Sequence, residues 1–206
     1  GNLPWNLGGE GMKHFLGIED EAFIRGKAPM TKKEVRILTL AGAKIESTDV
    51  VCDIGAGTGS LSIEAALLAK EGHVYAVERK KEAASLIRRN AVKFGVENLT
   101  IIESEAPVGL DQLPKRLDAA IIGGTGSRLE EILDVLDERL KPGGFIVINC
   151  ITVQTLAATL AYMRKRNDYI YDTVQVQVNR LKKIGPYDMA GAINPVYIIS
   201  CRKADV

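Results

Sequence analysis

Cysteine and histidine are scarce in this chain of 206 residues. The three cysteines, Cys52, Cys150 and Cys201, are odd in number and far apart. That spacing excludes a disulfide framework and a cysteine-based zinc site, which need paired or clustered ligands. Each cysteine lies in an apolar run that reads as a strand. The expected state is therefore a buried free thiol in a reducing, cytoplasmic compartment. The two histidines, His14 and His73, have no metal-ligand spacing. His73 opens an expected strand and is read as structural or solvated, and no metal is expected. An excess of one charge is missing too. The 27 basic and 26 acidic residues leave a net charge of +1, which argues against wholesale nucleic-acid binding while leaving room for a local basic patch. No apolar run approaches the roughly 18–20 residues of a membrane span, so no membrane partner is expected. The opening GNLPWNLGGEGM lacks the basic-then-apolar order of a signal peptide. Residues 1–17 are expected to form a flexible lead-in or linker, and residues 18–206 one domain.

What is present is ordinary for a globular protein: 46% apolar and 26% charged residues. Thr31 and Glu34 have capping-box spacing ahead of a helix to about Ala43, with Val35, Leu38 and Ala41 or Gly42 on one face. Short apolar runs predict strands at Val50–Ile54, His73–Val77, Leu99–Ile102, Leu117–Ile122 and Phe145–Asn149. Helical periodicity predicts helices at Ser60–Lys70, Lys80–Phe94, Arg128–Leu140 and Thr152–Arg166, with a turn at Lys141–Gly144. Tyr169–Val178 alternates apolar and polar residues as a strand with one less buried face does. An irregular stretch from Asn179 to Asn194 precedes a last strand, Val196–Cys201. Alternating strands and helices imply an α/β fold with a mostly parallel sheet covered on both faces. The terminal strands, read as a hairpin, add one antiparallel strand. Ligands in such sheets bind at the carboxyl ends of the strands.

The richest of these ends is Asp53-Ile54-Gly55-Ala56-Gly57-Thr58-Gly59-Ser60. Glycines let backbone approach a ligand, and the following helix start offers free N–H groups. A dinucleotide loop reads G-x-G-x-x-G, whereas here Ser60 stands where the last glycine would be. Asp53 repels a pyrophosphate and favours the ammonium of a methionine moiety. Spacing and acid both favour S-adenosylmethionine over NAD. Glu78, ending the second strand, can accept ribose hydroxyls from either cofactor. Ala106, after the third strand, can offer its N–H to an adenine. Gly123-Gly124-Thr125-Gly126-Ser127 follows the fourth strand, facing the position of a transferred methyl group. It supplies no obvious base, so positioning would carry much of the rate. Cations are scattered through irregular segments: Arg25, Lys27, Arg180, Lys182 and Lys183. Converging on the pocket mouth, they would bind a polyanionic substrate.

Asp20-Glu21-Ala22-Phe23, Pro29-Met30-Thr31-Lys32-Lys33-Glu34-Val35-Arg36, the glycine loop, the Gly123–Gly126 loop and Asn194-Pro195-Val196-Tyr197 together resemble the decarboxylating precorrin methyltransferases of cobalamin biosynthesis. The resemblance runs from about Ile18 to the end. It implies a Rossmann-like class I methyltransferase fold with a seven-stranded sheet. It also implies methylation at C15 of precorrin-6B or cobalt-precorrin-6B, with loss of carbon dioxide from the ring C acetate. By position, Thr31, Asp53, Gly55, Ala56, Gly57, Thr58, Gly59, Glu78 and Ala106 would contact S-adenosylmethionine. Gly123, Gly124, Thr125, Gly126, Arg25 and Lys182 would meet the tetrapyrrole, and Thr125, Arg180 and Tyr187 are the candidates for promoting decarboxylation. The family is typically tetrameric and often fused to a C5-methyltransferase. Two other functions share parts of the pattern. Methylation of RNA or protein uses the same fold, and an NAD-dependent oxidoreductase uses a similar loop.

Overall fold

The computed structural model describes residues 16–124 and 127–205. Its sheet has seven strands: β1 (Val50–Ile54), β2 (His73–Val77), β3 (Leu99–Ile102), β4 (Leu117–Ile122), β5 (Leu140–Cys150), β6 (Tyr169–Val176) and β9 (Val196–Lys203), in the order β3-β2-β1-β4-β5-β9-β6. The pairs from β3 to β5 are parallel, and β9 runs antiparallel to both its neighbours. The helices α1 (Lys33–Ala43), α2 (Ser60–Leu68) and α3 (Lys81–Phe94) bury Leu40, Ile63 and Phe94 on one face of the sheet. The helices α4 (Leu129–Arg139) and α5 (Val153–Arg164) bury Leu133, Leu136 and Met163 on the other. With both faces covered, the central strands have no solvent side. This is why β1 reads as an unbroken buried run rather than an alternating one. All three cysteines are buried free thiols within these strands. Burial pushes the Cys201 thiol up to about 12.

Four expectations need correction. The Thr31–Glu34 capping box does not form: α1 has Lys32 at its N-cap without a side-chain bond. Asp20, thirteen residues upstream, takes that role by accepting from Lys33 N at 3.0 Å. The buried face of α1 is Val35, Arg36, Thr39, Leu40 and Ala43, while Leu38 is exposed. Lys141–Gly144 is an irregularity within β5, where pairing with β4 skips from Leu117↔Leu140 to Ala119↔Phe145. The irregular stretch is a two-stranded ribbon, β7 (Asn179–Ile184) with β8 (Tyr187–Ala192), inserted between β6 and β9. Its tight link at Gly185, φ +60°, is what a short hairpin needs. His73 behaves as expected, with its ring Nε2 2.8 Å from the Thr100 hydroxyl.

Candidate functional site

The sheet order reverses between β1 and β4, and the loops that part there enclose a cavity of about 500 Å³. The glycine loop forms its floor. Gly55, Gly57 and Gly59 all have positive φ, which favours glycine, and each faces a different neighbour. A Cβ on Gly55 would lie 2.7 Å from the Gly124 backbone, so the loops after β1 and β4 touch main chain to main chain. A Cβ on Gly57 would lie 2.9 Å from the Pro29 carbonyl. One on Gly59 would lie 2.9 Å from Ile87 of α3. Gly55, Ala56 and Gly57 line the cavity, whereas Thr58 and Gly59 do not. Thr58 instead turns its carbonyl to Asn90 Nδ2 at 3.0 Å.

Two carboxylates face this floor. Asp53 is almost fully buried, with Oδ2 accepting from the Ser62 hydroxyl at 2.5 Å and Oδ1 without a partner. Burial first, and the nearby Glu78 charge after it, push the Asp53 carboxyl up to about 6, against the lowering effect of Ser62. A buried anion with a spare acceptor suits a cationic ligand group. Glu78 accepts from Gly57 N at 2.9 Å through one oxygen and from Lys80 N at 2.8 Å through the other. These bonds hold the carboxylate rigid while each oxygen keeps a lone pair for a ligand hydroxyl. The spare acceptor at Asp53, the glycine-rich floor and the fixed Glu78 fit the ammonium, methionyl backbone and ribose of S-adenosylmethionine. Ser104, Glu105 and Ala106, just after β3, continue the wall where an adenine would lie.

The opposite wall is the N-terminal segment 28–32, including Thr31. A buried ion cluster secures it. The Arg36 guanidinium is fully buried, with Nε 2.6 Å from Glu64 Oε2 and Nη1 2.8 Å from Asp20 Oδ1. It also donates to the carbonyls of Thr31 and Ile18. Glu64 accepts in turn from Gly17 N and Ile18 N. Arg180 of the ribbon joins the cluster, 2.7 Å from Glu34 and 3.7 Å from Asp20. Asn90 completes the attachment, bonding both backbone groups of Ile24 while holding Thr58.

The side of the cavity where the sequence leads us to expect the substrate is bounded by Gly123, Gly124, Asn149, Ile151, Ile193 and Asn194. Thr125 and Gly126 lie outside the described residues. The expected cations do not converge here: Arg25, Lys27, Lys182 and Lys183 are exposed and away from the lining, as is Tyr187. Lys32, Arg79 and Lys80 line the cavity instead. Arg180 is occupied in the ion cluster. Asn149 is a residue the sequence reading missed, and the available signal was a polar side chain closing the expected strand Phe145–Asn149. Its Oδ1 lies 3.0 Å from the Thr39 hydroxyl, and its buried Nδ2 has no partner. Among the described residues no three His, Cys, Asp or Glu side chains group as a metal ion would need. No described helix is long and apolar enough to cross a membrane.

Known proteins are similar to this chain over most of its length. A probable cobalt-precorrin-6B C(15)-methyltransferase (decarboxylating) of Sulfolobus acidocaldarius is 42% identical, over 89% of this chain and 95% of its own. The structure of a precorrin-6Y C5,15-methyltransferase from Geobacter metallireducens superposes with a TM-score of 0.85 at 41% identity, covering 91% of this chain and 98% of that one. A precorrin-8W decarboxylase from Methanobacterium thermoautotrophicum gives 0.84 at 32%, covering 89% and 98%. The fold is the class I S-adenosylmethionine-dependent methyltransferase fold, as the sequence led us to expect. The family profile described as precorrin methyltransferase domain matches residues 21–203, from the turn that carries Asp20 to the last residue of β9, and the chain belongs to that family.

Proposed function

We propose that this protein transfers a methyl group from S-adenosylmethionine to C15 of precorrin-6B or cobalt-precorrin-6B and removes carbon dioxide from the ring C acetate. The observation that carries the cofactor assignment is the pairing of a partnerless buried Asp53 oxygen with the Gly55–Gly57 floor and the backbone-locked Glu78. When bound, S-adenosylmethionine supplies an electrophilic methyl on a sulfonium. Asp53 would hold the ammonium, Gly55, Ala56 and Gly57 the methionyl chain, Glu78 the ribose hydroxyls, and Ala106 the base. The Gly123–Gly124 loop brings backbone alone to the methyl end, which leaves space for a broad, flat macrocycle.

The names of the relatives support the substrate, and the cations Lys32, Arg79 and Lys80 at the lining suit its many carboxylates. We further infer a cytoplasmic homotetramer and a working partnership with a C5-methyltransferase, the second activity in the name of the Geobacter relative. The test is calorimetric titration with S-adenosylhomocysteine, followed by turnover on both forms of the macrocycle with methyl transfer and carbon dioxide measured separately. Saturable cofactor binding and coupled release of carbon dioxide are expected. No binding at millimolar S-adenosylhomocysteine, or turnover on tRNA and none on the macrocycle, would overturn the assignment.

A further inference from the structure

Beside the Gly123–Gly124 loop lies a second, smaller recess of about 210 Å³, open to solvent at the exposed Ile151 and Thr152. It shares Gly123, Gly124, Asn149 and Ile151 with the main cavity, so the two adjoin. Its inner wall is apolar, from the buried Ile122 and Ile148. Its polar groups are Asn149 and the hydroxyls of Thr152 and Thr155, and its described lining carries no charged side chain. Thr152 is the N-cap of α5, accepting from Thr155 N at 3.2 Å, and the two hydroxyls are 2.9 Å apart. The first turn of this twelve-residue helix therefore forms one side. Asn149 is the independent sign of a ligand: it is 7% exposed, and its buried Nδ2 donor has no partner.

Resting on the methyltransferase assignment above, we propose that this recess takes the carboxylate that the reaction removes, the acetate on ring C. The size admits an acetate side chain and excludes the ring. The donors are neutral, and that matters chemically. Decarboxylation breaks the bond between the carboxylate carbon and its methylene. The electron pair passes to the methylene carbon and the conjugated ring, carbon dioxide leaves, and a proton from water restores the carbon. Negative charge thus leaves the carboxylate as the bond breaks. A lysine or arginine at the carboxylate would stabilise the starting state more than the transition state and slow the step. Neutral hydrogen bonds orient the group with less of that penalty, and the apolar inner wall suits uncharged carbon dioxide. The single Thr39 proton has two acceptors in reach, the Val35 carbonyl at 2.7 Å and Asn149 Oδ1 at 3.0 Å. A carboxylate held by Nδ2 draws that proton toward Oδ1 and locks the amide.

The test compares Asn149→Asp, Thr39→Val and Thr155→Lys with the wild type, using cobalt-precorrin-6B and S-adenosylmethionine and following carbon dioxide and methyl transfer separately. Unchanged S-adenosylhomocysteine affinity reports an intact fold and cofactor site. Asn149→Asp places like charge against the carboxylate and is expected to lower kcat/KM for carbon dioxide release on the order of 10–100-fold. Thr39→Val should move it in the same direction by less. Thr155→Lys should lower both KM and the kcat for carbon dioxide, a split that a merely structural role does not produce. Carbon dioxide release unchanged in Asn149→Asp, or accelerated in Thr155→Lys, would overturn the subsite. A wild type that neither methylates the macrocycle nor releases carbon dioxide would instead overturn the parent assignment.

Discussion

Asp53 and Glu78 are both buried acids, and their hydrogen bonds set them different tasks. Glu78 is satisfied on both oxygens, so it serves as a rigid acceptor. Glu78→Ala removes a charged acceptor and is expected to weaken S-adenosylhomocysteine binding by about 1–3 kcal/mol in a calorimetric titration. Unchanged affinity would refute the ribose contact. Asp53 has a spare oxygen and a carboxyl pushed up to about 6, against an ordinary 3.8. An acid whose pKa rises on folding binds its proton more tightly in the folded state. Asp53 therefore penalises the ligand-free fold least below pH 4, and the penalty grows as pH rises through 6, to at most about 3 kcal/mol. The ligand ammonium needs the ionised form, so its binding shows the opposite trend. Affinity for S-adenosylhomocysteine should fall below pH about 6, by up to about tenfold per unit, and Asp53→Asn should flatten the profile. Calorimetry at pH 5 and 7 checks both statements. Gly55 is constrained by the main chain of Gly124, which cannot swing aside as a side chain can.

At the scale of elements, the segment before α1 is a wall of the site rather than a tail. Arg36 ties it to α1 and α2, so removing that guanidinium leaves Glu64 buried without its charge partner and Asp20 with the more distant Arg180 and Lys32, at 3.7 and 3.9 Å. Arg36→Met is expected to cost about 3–5 kcal/mol in urea denaturation, the range for breaking a buried ion pair. A loss below about 1 kcal/mol, as for exposed pairs, would show that the cluster does not hold the segment. The same cluster explains where the sequence misled. Apolar periodicity located α1, but it put Leu38 on the buried face and overlooked Arg36 and Thr39. Those two are buried because their partners, Glu64, Asp20 and Asn149, come from distant parts of the chain. The central strands were legible because full burial leaves one apolar signature. The ribbon was not, since Arg180, Lys182, Lys183 and Asp188 interrupt any apolar alternation. Within the glycine loop the residue pattern marked the site, yet it could not separate Gly55 and Gly57, which face the cavity, from Gly59, which packs on Ile87.

At the scale of the molecule, the ribbon is thinly covered, with Leu181, Ile184, Tyr187 and Met189 exposed. Apolar side chains gathered on a two-stranded projection support the proposed tetramer, because such a ribbon has little core of its own. Light scattering should find the wild type as a tetramer, and Leu181→Lys with Met189→Lys should shift it to smaller species with S-adenosylhomocysteine affinity retained. A wild-type monomer would overturn the assembly. Finally, Gly55 and Gly124 meet main chain to main chain and both line the one cavity, so the two proposed ligands would share that cavity and touch directly where the methyl passes. Such ligands exchange free energy: whatever factor the macrocycle adds to cofactor affinity, the cofactor adds to macrocycle affinity. Transfer of the methyl group removes the positive charge on the cofactor's sulfur, so the same reciprocity would change how tightly the methylated macrocycle is held.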